Sequence, residues 1–134
     1  MKRAITVGSL LALALFLGAC SKHTSDVPGD VHMVSGHHFD PSTITVKAGD
    51  TVTFGNASAE SHTVTAYQDS IPPGGKYFSS GGAASEKDAR GNLGAALIQE
   101  GSTFSVTLDT PGTYRYFCIP HESDGMKGTI VVTP

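Results

Sequence analysis

Cys118-x-x-His121-x-x-x-x-Met126 places a thiolate, an imidazole and a thioether within nine residues. Thiolate and thioether are soft donors that favour copper(I), whereas imidazole suits both copper states. One loop cannot surround a metal alone, so a distant donor is required. His62, at the opening of a strand-like run, supplies it. Two imidazoles, one thiolate and a weak axial thioether form a set that lets one copper ion gain and lose an electron with little rearrangement. Cys118 must then bind as thiolate, a state the ion's charge enforces. Each residue also has a plainer reading: Met126 as core filler, His121 as a surface residue, His62 as the lining of a strand end, Cys118 as a small buried hydrophobe. Four such coincidences in one small β domain are harder to accept than a metal.

The start of the chain sets the compartment. Lys2 and Arg3 precede an uncharged run over 4–17, and Leu17-Gly18-Ala19-Cys20 closes it with small residues before a cysteine. The run falls short of the about 20 apolar residues that cross a hydrocarbon layer. It reads as a signal peptide over 1–19. Its end resembles the lipobox of bacterial lipoproteins, where the cysteine, here Cys20, is acylated and the chain is cut before it. An ordinary signal peptide with an incidental Cys20 is the alternative. The expectation is an extracytoplasmic protein tied to a membrane only through lipidated Cys20, with 20–29 as lipidated cysteine and tether. Cys118 is then a lone exported thiol, which has to be buried, paired between chains or bound.

The chain has 134 residues. Removal of 1–19 leaves enough for one small domain, placed at 30–134 and expected to be monomeric. Over 20–134 seven basic residues face twelve acidic ones, a formal net charge of −5. A negative surface argues against nucleic acid and is compatible with docking to a basic patch.

Short β-type runs must position the donors. They fall at 31–35, 43–46, 51–54, 63–67, 103–108, 113–117 and 129–132, rich in β-branched and aromatic residues and separated by turn signals such as Thr110-Pro111-Gly112. This spacing predicts an all-β antiparallel sandwich or barrel. Only 68–99 departs from it. Pro72-Pro73-Gly74-Gly75 and Ser79-Ser80-Gly81-Gly82 are loop signals, and 83–98 predicts one or two helical turns. So long an insert is expected to pack across a sandwich edge through Tyr77, Phe78, Leu93, Leu97 and Ile98.

The stretch from Tyr116-Phe117-Cys118-Ile119-Pro120-His121 to Gly125-Met126-Lys127-Gly128-Thr129-Ile130 resembles the copper loop and last strand of the plastocyanin and halocyanin branch of the cupredoxins, the blue-copper proteins. Phe39-x-Pro41-x-x-Ile44-x-Val46-x-x-Gly49-Asp50-x-Val52-x-Phe54-x-Asn56 and Ser61-His62-Thr63-Val64 are similar to the segments around that family's first histidine ligand. The resemblance implies a cupredoxin-like Greek-key β-sandwich of about eight strands, with one type 1 copper ion on His62, Cys118, His121 and Met126. It implies a one-electron carrier between redox proteins, not an enzyme. His121 would be the surface-reaching ligand, with Ile119, Pro120, Gly125 and Met126 as an apolar patch for brief docking.

Some residues depart from the family pattern. Thr63 stands where plant-type proteins place an asparagine that braces the loop. Glu122 and Asp124 put two acids inside the ligand loop, there to favour copper(II) or simply to keep the rim soluble. His23, His32, His37 and His38 are expected to be ordinary surface or backbone-satisfied residues. The competing functions are copper or zinc transport, storage or delivery on the same ligands, an enzyme, and a metal-free structural sandwich. The sequence lacks the further histidine groups that a copper oxidase or reductase needs.

Overall fold

The computed structural model describes residues 26–134. The signal-peptide reading of 1–19 and the acylation reading of Cys20 fall outside the described residues. Eight strands follow in order: β1 (Val31–Val34), β2 (His38–Asp40), β3 (Thr43–Lys47), β4 (Thr51–Asn56), β5 (Thr65–Ala66), β6 (Thr103–Thr107), β7 (Gly112–Phe117) and β8 (Lys127–Thr133). They form two four-stranded sheets, ordered β2-β1-β4-β6 and β3-β8-β7-β5.

The sandwich is as expected, with two corrections of detail. β2 is absent from the sequence-based set because three residues are too few for alternation to register; only Phe39 of the three is buried. The ladders are also not all antiparallel, since β1 runs parallel to β4 and β3 parallel to β8. Among consecutive strands only β1–β2 and β7–β8 pair as hairpins, and every other connection crosses between sheets. Greek-key crossings of this kind bring strands of equal direction side by side.

Alternation along each strand builds the core. Val52 and Phe54 of β4 point inward, while the hydroxyls of Thr51 and Thr53 meet Thr107 and Ser105 of β6 at 2.7 and 2.9 Å. Tyr114 and Tyr116 of β7 and Ile130 and Val132 of β8 face them from the other sheet. Phe39 and Phe54 meet the Tyr116 ring edge to face at 4.8 and 5.2 Å. Truncating a ring as buried as Phe54 would cost about 3–5 kcal/mol. Gly128 lets the Tyr116 ring lie flat on β8, since a Cβ there would come within 2.3 Å of the phenol. Packing begins by Val27, which is buried and lies with Pro28 over Gly55.

The insert lies on the free edge of β5, as expected. Ser80 N–H donates to Val64 O at 2.8 Å and Ala66 N–H to Phe78 O at 3.0 Å, which extends the sheet by hydrogen bonds. Phe78 and Ile98 enter the core, Tyr77 packs against it, and Leu93 and Leu97 are half-buried. Helical turns form as α1 (Glu86–Gly91) and α2 (Leu93–Ala96). Ser85 caps α1 by accepting from Asp88 N–H, and Asn92 separates the two turns. No helix among the described residues is long and apolar enough to cross a membrane.

Candidate metal centre

β4 and β7 end, and β5 and β8 begin, at one end of the sandwich, and the donors meet there. His62 Nδ1 and His121 Nδ1 are 3.1 Å apart, and Cys118 Sγ lies 3.7 Å from the first and 3.4 Å from the second. Donors bound to one ion at about 2.0–2.3 Å must stand within roughly 4 Å of one another, and all three pairs do. His62 and Cys118 are fully buried, whereas His121 keeps 16% of its side chain exposed. A thiolate with two imidazoles suits copper or zinc, so the residues present fit the ion that the donor chemistry implies.

His62 is oriented by the wall behind it. Its Nε2 lies 2.7 Å from Ser58 Oγ. The Ser58 hydroxyl hydrogen points to Asn56 Oδ1 or Glu60 O, both acceptors at 3.1 Å, so Ser58 Oγ accepts from His62 Nε2–H. The Nδ1 lone pair is thereby left for the metal. Asn56 is buried and anchors this corner: Nδ2 donates to Glu60 O and Ile98 O at 2.7 and 2.9 Å, and Oδ1 accepts from Ser58 N–H at 2.9 Å. Burial first, and then the neighbouring His121, push His62 down to about 4, with Glu60 pulling the other way. The ring is therefore neutral at pH 7.

Burial pushes the Cys118 thiol up, against donors that favour the thiolate. Thr63 N–H donates to Sγ at 3.3 Å. The Thr63 hydroxyl oxygen accepts from Ile119 N–H at 2.8 Å. Thr63 thus ties the His62 strand to the ligand loop, a bracing role that its short side chain fills by direct contact. The thiolate still needs the cation to outweigh its desolvation.

Met126 is fully buried beside the triad's loop, and its backbone closes that loop: Cys118 N–H donates to Met126 O at 3.0 Å, and Met126 N–H to His121 O at 3.2 Å. Gly125 precedes it at φ 86°, left-handed backbone that glycine adopts without strain. Being buried, Met126 adds nothing to an exposed patch. Pro120 and Gly125 are exposed and Ile119 is half-buried.

The acids of the loop have a role that neither sequence reading anticipated. Glu122 accepts from Arg90 of α1 at 2.6 Å and from Tyr67 Oη at 2.8 Å, and Arg90 holds its carboxyl below the usual range. Arg90 also lies 4.3 Å over the Phe117 ring, and Tyr67 stacks on the same ring at 4.3 Å. Arg90 of the insert and Tyr67 just before it therefore cover the Phe117 ring, next in the chain to Cys118.

Asp124 Oδ2 lies 2.8 Å from His37 Nδ1, and Glu60 Oε2 lies 2.7 Å from His37 Nε2. An ionised carboxylate only accepts, so Nε2–H donates to Glu60, and Asp124 lies at ion-pair distance from the other ring nitrogen. Glu60 first, and Asp124 after it, raise His37 above the ordinary histidine range despite some desolvation. The ring stacks on His121 at 3.9 Å and 12° from parallel. Sequence reasoning left His37 as an ordinary surface residue. Gly36-His37 between two strand-like runs is the one signal that could have found it, since such a turn can aim a side chain back along the sheet. His32 Nε2–H donates to Val27 O at 2.8 Å, in keeping with its plain reading.

Residues 29–133 match the family described as copper binding proteins, plastocyanin/azurin family. Plastocyanin of Scenedesmus fuscus is 40% identical over 94 residues, which are 70% of this chain and 85% of that protein. Chloroplastic plastocyanin of Hordeum vulgare is 39% identical over 94 residues, 70% of this chain and 54% of that protein, so the chain spans about half the length of this relative. Among solved structures, the oxidized form of plastocyanin from Dryopteris crassirhizoma aligns with a TM-score of 0.53 and 29% identity, covering 77% of this chain and 98% of that one. A match over nearly the whole described domain, on a fold whose donors already surround one point, makes the assignment plain: the chain belongs to the plastocyanin/azurin family of copper binding proteins.

Proposed function

We propose that this protein carries single electrons on one type 1 copper ion, exchanging them between extracytoplasmic redox proteins. The observation that carries this reading is the placement of His62, Cys118 and His121 donors within 3.7 Å of one another, on a frame whose buried half is hydrogen-bonded in place. Copper, when bound there, supplies the one-electron couple. The residues supply the rest: Ser58 fixes the His62 ring, Thr63 braces the thiolate, and the backbone bonds of Met126 close the loop. Delivery of copper to another protein calls for exposed, exchangeable donors, and two of these three are fully buried. Family membership supports an electron carrier in place of an enzyme.

Finer features complete the proposal. Met126, buried at the end of the loop, is the weak fourth donor. Ile119, Pro120 and Gly125, beside His121, form the surface for a short-lived, low-area redox encounter. The domain is held at a membrane by an acylated Cys20. Purified protein should show one copper per chain, a thiolate-to-copper visible band and reversible one-electron voltammetry. Copper bound without that band or without a reversible couple would refute the carrier reading. Cys20→Ser should move the protein from the membrane fraction to the soluble one with its spectrum unchanged, and continued membrane retention would refute the anchor.

A further inference from the structure

The two imidazoles of the site are not supported alike. His62 Nε2 has Ser58 Oγ at 2.7 Å. His121 Nε2 has no hydrogen-bond partner among the described residues, and the Glu60 carboxylate oxygen near it is 3.8 Å away, outside bonding range. Ligating histidines almost always use the second ring nitrogen to fix the ring. His121 also sits on the nine-residue loop over 118–126 and is partly exposed, whereas His62 is fully buried. Something else has to hold the ring.

His37 is placed to do so. Its ring covers one face of His121 at 3.9 Å, 12° from parallel. It is itself pinned on both nitrogens, by Glu60 Oε2 at 2.7 Å and Asp124 Oδ2 at 2.8 Å. These partners belong to three separate segments: the β1–β2 turn, the β4–β5 connection and the ligand loop. The turn is shaped for this purpose. Gly36 and His37 are both left-handed, at φ 88° and 57°, and a non-glycine residue occupies that region rarely. Such backbone is kept where the surroundings over-determine it, often at functional sites.

We propose that His37 is the positioning residue of His121, holding by ring-on-ring contact what Ser58 holds for His62 by a hydrogen bond. Glu60 and Asp124 hold His37 in turn, so the exposed ligand is fixed by a latch across three loops. The latch keeps His121 aimed at the metal point in both oxidation states and slows its swing outward. The inference rests on the copper reading of the site.

Two substitutions separate the ring contact from the acid bonds. His37→Asn removes the ring and tolerates left-handed backbone, so the turn survives. His37→Phe keeps a flat ring but loses both carboxylate partners. One measurement is the rate at which a chelator removes copper(I) at fixed pH and salt. The other is the order of the His121 ring in metal-free, ¹⁵N-histidine-labelled protein, from NMR relaxation. The Asn variant should release copper about tenfold faster or more, with a visibly less ordered His121 ring. The Phe variant keeps the stack but not its two anchors, and should fall between the Asn variant and wild type in both. Wild-type behaviour of the Asn variant overturns the proposal. A Phe variant as loose as the Asn variant also overturns it, because the carboxylate bonds and not the stack would then hold the ring. Wild-type protein that binds no copper defeats the copper reading instead, and the NMR comparison still judges the stack.

Discussion

His62 sits in the wall of the sandwich and His121 in a loop at its end, and the means that hold them differ accordingly. Behind His62 stand Ser58 and Asn56, both buried, with each polar group of the Asn56 side chain bonded. Around His121 stand the half-exposed His37, Glu60 and Asp124, with Arg90 of the insert bracing the same loop through Glu122. A buried hydrogen bond is costly to break because the orphaned group cannot turn to water. An exposed ion pair is worth about 0–1 kcal/mol, because water replaces each partner. The wall is therefore the stable half of the site and the loop the adjustable half, with Cys118 shared between them.

Loss of the shared donor should have the largest effect. Cys118→Ser removes the thiolate that both halves serve, and the visible thiolate-to-copper band should vanish completely; persistence of the band would displace Cys118 from the site. Asn56→Ala strikes the wall. It takes one donor from each of the Ile98 and Glu60 carbonyls and orphans Ser58 N–H, at a cost of about 2–3 kcal/mol in denaturant unfolding. Met126→Leu strikes the closing end of the loop. Copper should remain bound while the reduction potential rises, because a weak donor to copper(II) is lost, and an unchanged potential in voltammetry would remove Met126 from the ligand set.

The smallest effect is expected at the loop's outer brace. Arg90→Ala should cost about 1 kcal/mol or less, since Arg90 and Glu122 keep 37% and 27% of their side chains exposed. Arg90 holds the Glu122 carboxyl low, so the pair contributes fully above the ordinary glutamate value of about 4.3. The difference between wild type and variant should disappear as pH falls through the lower folded value. An Arg90→Ala cost equal to that of Asn56→Ala would erase the contrast between wall and loop.

Spacing made the loop's candidate donors legible, because Cys118, His121 and Met126 lie close in the chain and their types are chemically unusual together. Runs of β-branched and aromatic residues over four or more positions made seven strands legible, although β5 keeps only Thr65–Ala66 of its run. β2 fails that test by length, and the parallel pairs β1–β4 and β3–β8 are set by connections that cross between sheets. The acids Glu122 and Asp124 were visible in sequence, but their partners Arg90 and His37 lie 32 and 87 residues away, in segments with no local sign of pairing.

Residue types and local spacing thus pointed to the chemistry: one soft anion and two imidazoles on a small β frame can be written down from Cys118, His121 and His62, with the Met126 thioether as the proposed fourth donor. The folded chain settled how each donor is held. Hydrogen bonds and ring contacts depend on distances of a few ångströms between segments tens of residues apart. No periodicity carries that information, so Ser58 behind His62 and His37 over His121 emerge only when the β1–β2 turn, the end of β4 and the ligand loop are brought to the same end of the sandwich.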